Sequence, residues 1–355
     1  MRKIFLFQLL WIISFATKAQ IGGRSSYQFL HTVSSPKLAA LSGVNVSHLQ
    51  SDLEMVYFNP SLLDSTHNLR ADVSYTNYLS DINYGFAAYS FSLKKYGQLA
   101  LGAKYINYGD FIEANVNGDI TGNFSAAETA FFIAWSKKYI QQWSYGINLK
   151  LVNSNFYQYA SVGLLADAGI SWTHKSKLTR IGLVANNMGT MLSTYSENNF
   201  ESLPFDIRLG ITKKLPHAPL RFSLTAHNLQ NPNFWYESPN NRNNSDIFGI
   251  NDSETEVKTP WGEAILRHLT LGTELVLSEN FQLQMGYHHQ RRAELKLRND
   301  SRGGAVGFSF GFSMRIKKFH FNYARSVYHL AGATNHIGVS IKLSDFTSSA
   351  KSVKE

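Results

Sequence analysis

Val306-Gly307-Phe308-Ser309-Phe310-Gly311-Phe312-Ser313-Met314 is the stretch that decides the fold. Val306, Phe308, Phe310, Phe312 and Met314 are large and apolar, while Ala305, Gly307, Ser309, Gly311 and Ser313 are small or polar. This period of two marks a strand with unlike faces. It resumes after Lys317-Lys318, where Phe319, Phe321 and Tyr323 alternate with His320, Asn322 and Ala324. A third run sets Ile337, Val339, Ile341 and Leu343 against His336, Gly338, Ser340 and Lys342. A soluble sheet would turn its aromatic face to a core, but the opposite face here is too small and polar to form a second layer. The pattern predicts consecutive strands of a transmembrane β-barrel, apolar toward lipid and polar toward the lumen.

Composition agrees. The chain has 355 residues, no cysteine, 25 glycines, 14% aromatic residues and only 17% charged residues, against about 25% charged in soluble domains. Mean hydropathy is −0.20, and no apolar run of about 18 residues follows the N-terminus. A barrel strand needs only one greasy face, so such a chain need not be hydrophobic on average. The net charge of +9 raises nucleic acid as a partner. The lysines mark strand ends instead, which argues for a membrane-flanking role and against nucleic acid. At the N-terminus, Arg2 and Lys3 precede the apolar residues 4–15 and the cleavage site Thr17-Lys18-Ala19. This reads as a secretory signal over residues 1–19, with Gln20 the first mature residue. An uncleaved anchor is the alternative, but the apolar run is too short to span a bilayer.

Residues 20–68 alternate poorly. Asp52 to Leu63 reads as a helix or turn ended at Asn59-Pro60, because the residue before proline is pushed out of the α region. A segment of this size sits either inside the lumen as a plug or under it as a base, with Asn59, Pro60, Leu62 and Leu63 as its hatch residues. Fourteen strands are predicted over residues 69–79, 82–93, 98–108, 124–136, 143–153, 158–172, 178–186, 205–212, 220–229, 266–277, 281–290, 305–315, 319–328 and 335–343. The barrel therefore covers residues 69–346, with a tail at 347–355. Even-numbered connections are short and mostly carry lysine, as in Lys94-Lys95, Lys137-Lys138, Lys175 and Lys177, Lys213-Lys214 and Lys317-Lys318. Odd-numbered ones include the long stretches 109–123, 187–204, 231–265 and 291–304. That alternation of short periplasmic turns with long outer loops is what a barrel requires. Tyr75, Tyr78, Tyr89, Tyr105, Tyr108, Trp135, Trp143, Trp172, Tyr287 and Tyr328 lie near strand ends and suit aromatic girdles.

Chemical motifs are weak. Gly307-Phe308-Ser309-Phe310-Gly311 matches G-x-S-x-G, which needs a strand-to-helix turn, but here the serine is in mid-strand. Ser34-Ser35-Pro36-Lys37 matches S-x-x-K, as do Ser92 to Lys95 and Ser348 to Lys351, with no accompanying S-D-N or K-T-G. His288 and His289 are adjacent on a strand and point to opposite faces, and His217 and His227 lie at opposite ends of another, so no metal site is read. No phosphate loop or dinucleotide fingerprint occurs. The reading is non-enzymatic, without cofactor or metal. The loop 231–265 holds Phe234, Trp235, Tyr236, Phe248 and Trp261 beside a polar run and an acidic patch, Asp252, Glu254 and Glu256. Exposed aromatics among polar residues make a partner surface. Packing of the same aromatics on the barrel rim is the alternative.

Gln20-Ile21-Gly22-Gly23, Tyr27-Gln28-Phe29-Leu30, Ala39-Ala40-Leu41-Ser42-Gly43 and Phe58-Asn59-Pro60-Ser61-Leu62-Leu63, with Ala226-His227-Asn228-Leu229-Gln230 further on, resemble the PorV/PorQ family. These are outer-membrane barrels of the type IX secretion system, related to the fatty-acid transporter FadL. The resemblance implies a fourteen-stranded FadL-like barrel in the outer membrane of a Gram-negative bacterium. It also implies a place in the attachment complex, beside a PorZ-like surface protein, PorV and the sortase-like PorU, which joins cargo to lipopolysaccharide. The expected role is anchor and scaffold. The alternatives are a FadL-type channel for hydrophobic small molecules and, more remotely, an outer-membrane hydrolase using Ser309 or Ser34.

Overall fold

The computed structural model describes residues 25–197, 199–232, 261–295, 304–329 and 332–346. Fourteen strands follow in chain order: β1 (Arg70–Asn77), β2 (Asn83–Ser92), β3 (Gln98–Ala114), β4 (Ile120–Ile140), β5 (Trp143–Phe156), β6 (Tyr159–Thr173), β7 (Thr179–Ser193), β8 (Asp206–Lys214), β9 (Leu220–Ala226), β10 (Leu269–Val276), β11 (Phe281–His288), β12 (Phe308–Ile316), β13 (Phe319–His329) and β14 (Gly332–Lys342). Each pairs antiparallel with its neighbours in sequence. β1 pairs with β14 from Arg70↔Lys342 to Asn77↔Asn335, which closes the cylinder. Closure is a physical requirement, because lipid offers no hydrogen bonds to a free sheet edge.

Sidedness is plain along β5. Tyr145, Ile147, Leu149 and Leu151 are exposed, while Gly146, Asn148, Lys150 and Val152 are buried. Leu149 is 52% exposed and Lys150 only 1%, the inverse of a water-soluble core. Phe310, Phe321 and Ile337 face out in the same way, and Ser309, Ala324 and His336 face in. An apolar belt of this kind is favourable only where hydrocarbon surrounds it.

Several sequence expectations are corrected. Residues 109–123 are a tall hairpin, not a loop: β3 and β4 stay paired through Phe111↔Phe124 and Ile112↔Asn123. The rings of Phe111 and Phe124 stack at 5.1 Å. A bulge between Asn107 and Asp110, with Gly109 at φ +89°, shifts the parity of the strand and hides its continuation from a period-2 reading. β7 likewise runs past Asn187, which takes φ +60°, to Ser193. β10 and β11 are shorter than predicted because helices α3 (Trp261–His268) and α4 (His289–Leu295) occupy their outer ends. Val306 is buried and not lipid-facing, since Gly307 turns the chain at φ +88° before β12 begins. Tyr78, Tyr108 and Tyr328 are not girdle residues. The inward parity of β1 carries on to Tyr78, which packs on Tyr84 and Tyr328 at 5.9 and 5.4 Å, and Tyr108 packs on Phe156.

The buried core is the content of the lumen. Residues 25–69 thread through it, carrying α1 (Pro36–Ala40) and α2 (Leu53–Phe58). Ser35 caps α1 by accepting from the Leu38 amide at 3.1 Å, with Pro36 at the first helical position. Asp52 caps α2 by accepting from the Met55 amide at 2.8 Å, and Asn59 ends it in extended backbone before Pro60. Every residue of α2 is buried, because a helix ringed by a barrel has no solvent face.

Candidate functional site

The four hatch residues of the sequence reading come together. Asn59, Pro60, Leu62 and Leu63 are all buried, and Asn59 and Pro60 lie against the inner faces of β5, β6 and β7. Glycines on three successive strands admit the corner. A Cβ on Gly146 would lie 2.6 Å from the Pro60 carbonyl carbon, one on Gly169 2.2 Å from Asn59 Oδ1, and one on Gly182 2.1 Å from the Val46 oxygen. Asn59 holds the corner from within: its Nδ2 donates to the Val46 oxygen at 2.7 Å, and its Oδ1 accepts from the Ser61 amide at 3.1 Å.

Above this corner the lumen is closed by aromatic rings. Tyr57 meets Phe132 at 5.1 Å and Phe86 at 6.1 Å, and Phe86 stacks on Phe132 at 5.6 Å. Inward charges surround the stack in pairs. Lys150 Nζ lies 2.7 Å from Asp167 Oδ2 and 4.2 Å from the centre of the Tyr57 ring. Asp167 also accepts from the Asn187 amide at 2.7 Å and from Asn148 Nδ2 at 3.0 Å. Lys104 Nζ lies 3.7 Å from Glu54 of α2. Toward the short-turn end, Glu274 accepts from Arg221 at 2.8 Å and meets His48 at 2.9 Å. Buried charges persist only when paired in this way. Nothing in the sequence showed which partners Lys150 and Asp167 would take.

Among the described residues, two larger cavities border the filled lumen. One of about 380 Å³ opens at the short-turn end between Gln50 and Asp52 of the threaded segment and Arg70, Gln282, His320 and Lys342 of the wall. The other, about 400 Å³, lies where the wall itself parts. β7 pairs with β8 only as far as Asn186↔Asp206; above it the strand pairing is with β6, and Asn187 Nδ2 reaches the Pro204 oxygen at 2.9 Å. Met188, Met191, Leu203 and Phe205 line the gap.

At the long-loop end, α3 and α4 are joined through Glu263. His289 Nε2 lies 3.0 Å and Arg267 Nε 3.2 Å from its carboxylate, and His289 Nδ1 meets the Tyr287 hydroxyl at 3.0 Å. Trp261 is 82% exposed at the start of α3. Phe234, Trp235, Tyr236 and Phe248 lie outside the described residues. Burial pushes the Glu263 carboxyl up, but His289 and Arg267 outweigh it and hold its pKa below the ordinary 4.5. A carboxylate lowered on folding contributes stability above its unfolded pKa and loses it as pH falls through the folded value. The α3–α4 contact is therefore expected to persist above about pH 4.5 and to loosen below it, by under about 1 kcal/mol. Amide exchange of residues 261–268, corrected for intrinsic rates, checks this, and Glu263→Gln should abolish the pH dependence.

The remaining candidates are dispersed. Ser309 is buried at the start of β12 and not in mid-strand, with no base in hydrogen-bonding reach of its hydroxyl. The Ser34 amide donates to Glu54 at 2.8 Å. His288 faces inward while His289 begins α4, so the two diverge. The sequence reading missed that His227 and His288 meet, ring to ring, at 5.1 Å. Among the described residues no cluster of His, Asp or Glu has the makings of a metal site.

No protein-family model and no curated protein sequence matches the chain. Among solved structures, the Pseudomonas putida toluene transporter TodX shares 11% identity over 86% of this chain and 95% of its own, with a TM-score of 0.48. A Pseudomonas aeruginosa FadL homologue shares 9% identity over 87% of this chain and 98% of its own, with a TM-score of 0.47. At such values the likeness says nothing of what the present chain binds.

Proposed function

We propose that the protein is a non-enzymatic outer-membrane anchor that presents its long-loop end to a surface partner. The observation that supports this best is the filled lumen. The chain's own residues 25–69 occupy it and are tied to opposite sides of the wall by the buried Lys104–Glu54 ion pair and the buried His48–Glu274 hydrogen bond. A barrel stoppered by its own chain acts as a rigid post, and what varies is what stands on the post. The lipid-facing belt fixes it in the bilayer, and Trp261, with Phe234, Trp235, Tyr236 and Phe248, is assigned to the partner surface. The family resemblance supplies the context: a PorQ-like role in type IX secretion, holding a PorZ-like protein beside PorV and sortase-like PorU near lipopolysaccharide. Deleting residues 233–259 is expected to remove the partner from pull-downs of detergent-solubilised outer membrane, while the barrel stays folded and heat-modifiable on gels. Retention of every partner by that variant would refute the loop assignment.

A second reading, a channel for apolar small molecules, is favoured by one observation. The parted wall between β7 and β8 places methionine, leucine and phenylalanine side chains around a cavity large enough for such a solute.

A further inference from the structure

We propose that the rim formed by β3, β4 and β5 at the short-turn end binds the headgroup of an anionic phospholipid. The outward face of β4 ends in Trp135, Lys137 and Tyr139, continuing the parity of lipid-facing Phe131 and Ile133. Lys137 stands directly across from outward-facing Tyr145 of β5. The turn before β3 brings in Lys95, whose Nζ lies 5.0 Å from the centre of the Tyr96 ring. Three contacts make these residues one surface. Trp135 Nε1 donates to the Tyr96 oxygen at 2.9 Å, Trp135 packs edge-on against Tyr145 at 5.6 Å, and Tyr145 faces Lys137. Lys95, Lys137, Tyr96 and Tyr139 are all exposed.

The charge on this rim is uncompensated. No aspartate or glutamate occurs in residues 94–97 or 135–145. Among the described residues, neither Lys95 nor Lys137 lies within ion-pair distance of an acid. Of the short turns, the one between β10 and β11 carries an acid, Glu279, and it lies across the barrel. The occupant must combine a negative head with apolar tails, because the lysines sit at the edge of a continuous hydrocarbon-facing strip, Phe131, Ile133, Ile147 and Leu149. Tyrosine and tryptophan at this depth anchor the boundary between head and tail. A phosphodiester with net negative charge meets every requirement, whereas a zwitterionic headgroup returns a positive charge to the two lysines.

The test uses the full protein in nanodiscs of phosphatidylcholine doped with phosphatidylglycerol, with retained lipid counted by native mass spectrometry. Wild type is expected to keep phosphatidylglycerol over phosphatidylcholine. The Lys95→Gln/Lys137→Gln variant should lose roughly fivefold in that preference for each lysine. Its melting temperature in pure phosphatidylcholine should match wild type, which separates lost binding from lost folding. Lys317→Gln/Lys318→Gln, on a distant turn, should leave the preference intact. Equal retention of the two lipids by wild type overturns the proposal. So does an equal loss in the distant variant, which would mean diffuse attraction. Selective retention of lipopolysaccharide in the same discs overturns the assignment to phospholipid.

Discussion

Replacing Asp167 with alanine is expected to cost about 3–5 kcal/mol of barrel stability, because it strands the Lys150 ammonium in the lumen. Lys150 is 1% exposed, and Asp167 is its carboxylate partner at 2.7 Å. The same carboxylate holds the Asn187 amide, where β7 leaves its regular path, and the Asn148 side chain. Its loss therefore leaves three groups on two strands, β5 and β7, without their partner at once. Lys150→Met in the Asp167→Ala background should recover most of the loss, since it removes the orphaned charge and keeps the bulk against the Tyr57 ring. Urea unfolding in liposomes, followed by gel mobility without boiling, reads both effects. A single variant as stable as wild type would mean that water, not Asp167, compensates Lys150.

Removing residues 25–67 is expected to turn a silent barrel into a conducting one. The intact chain blocks the lumen with Tyr57, Phe86 and Phe132 in mutual contact, and with α2 buried on every side. Without the threaded segment, Tyr57 and the corner at Pro60 are gone. What remains of the inner wall is rich in polar groups such as Asn148, Asp167, Arg208, Arg221 and Glu274. Water wets such a wall, as it does in open porin-type barrels. Planar-bilayer recording should show steady openings for the deletion variant and none for wild type. The same pair of proteins separates the two functional readings. If intact wild type admits an apolar solute, and Met191→Trp in the gap between β7 and β8 stops it, the channel reading gains over the anchor. Steady ionic conductance by wild type would contradict the plugged lumen on which the anchor reading depends.

How much of this was legible in advance differs by element. β5 and β6 could be placed to within a few residues because their alternation is unbroken: Tyr145 to Leu151 face out, and Gly146 to Val152 face in. β3 was cut short because a bulge at Asn107–Asp110 moves its following residues to the other face. The period-2 signal then cancels, although the pairing continues. The last turn of α3 and the first residues of α4 were absorbed into β10 and β11 and the rest of each helix into the long loops, since helices of eight and seven residues are too short to show their own period. The corner at Asn59-Pro60 was visible from proline chemistry alone. Its counterpart, the fit of Gly146, Gly169 and Gly182 around that corner, left no signal in the sequence.

The amino-acid sequence by itself determined the number of strands, their faces and the alternation of short turns with long connections. Each of these is written in residues one or two positions apart, through the strict period of a pleated chain. Only the tertiary structure decided that residues 25–69 fill the lumen, that Lys150 takes Asp167 and Lys104 takes Glu54, and that the wall parts above Asn186. The reason is closure. Tyr57 and Asn148 are 91 positions apart, and what they touch is fixed only when β1 meets β14 and the cylinder acquires an inside.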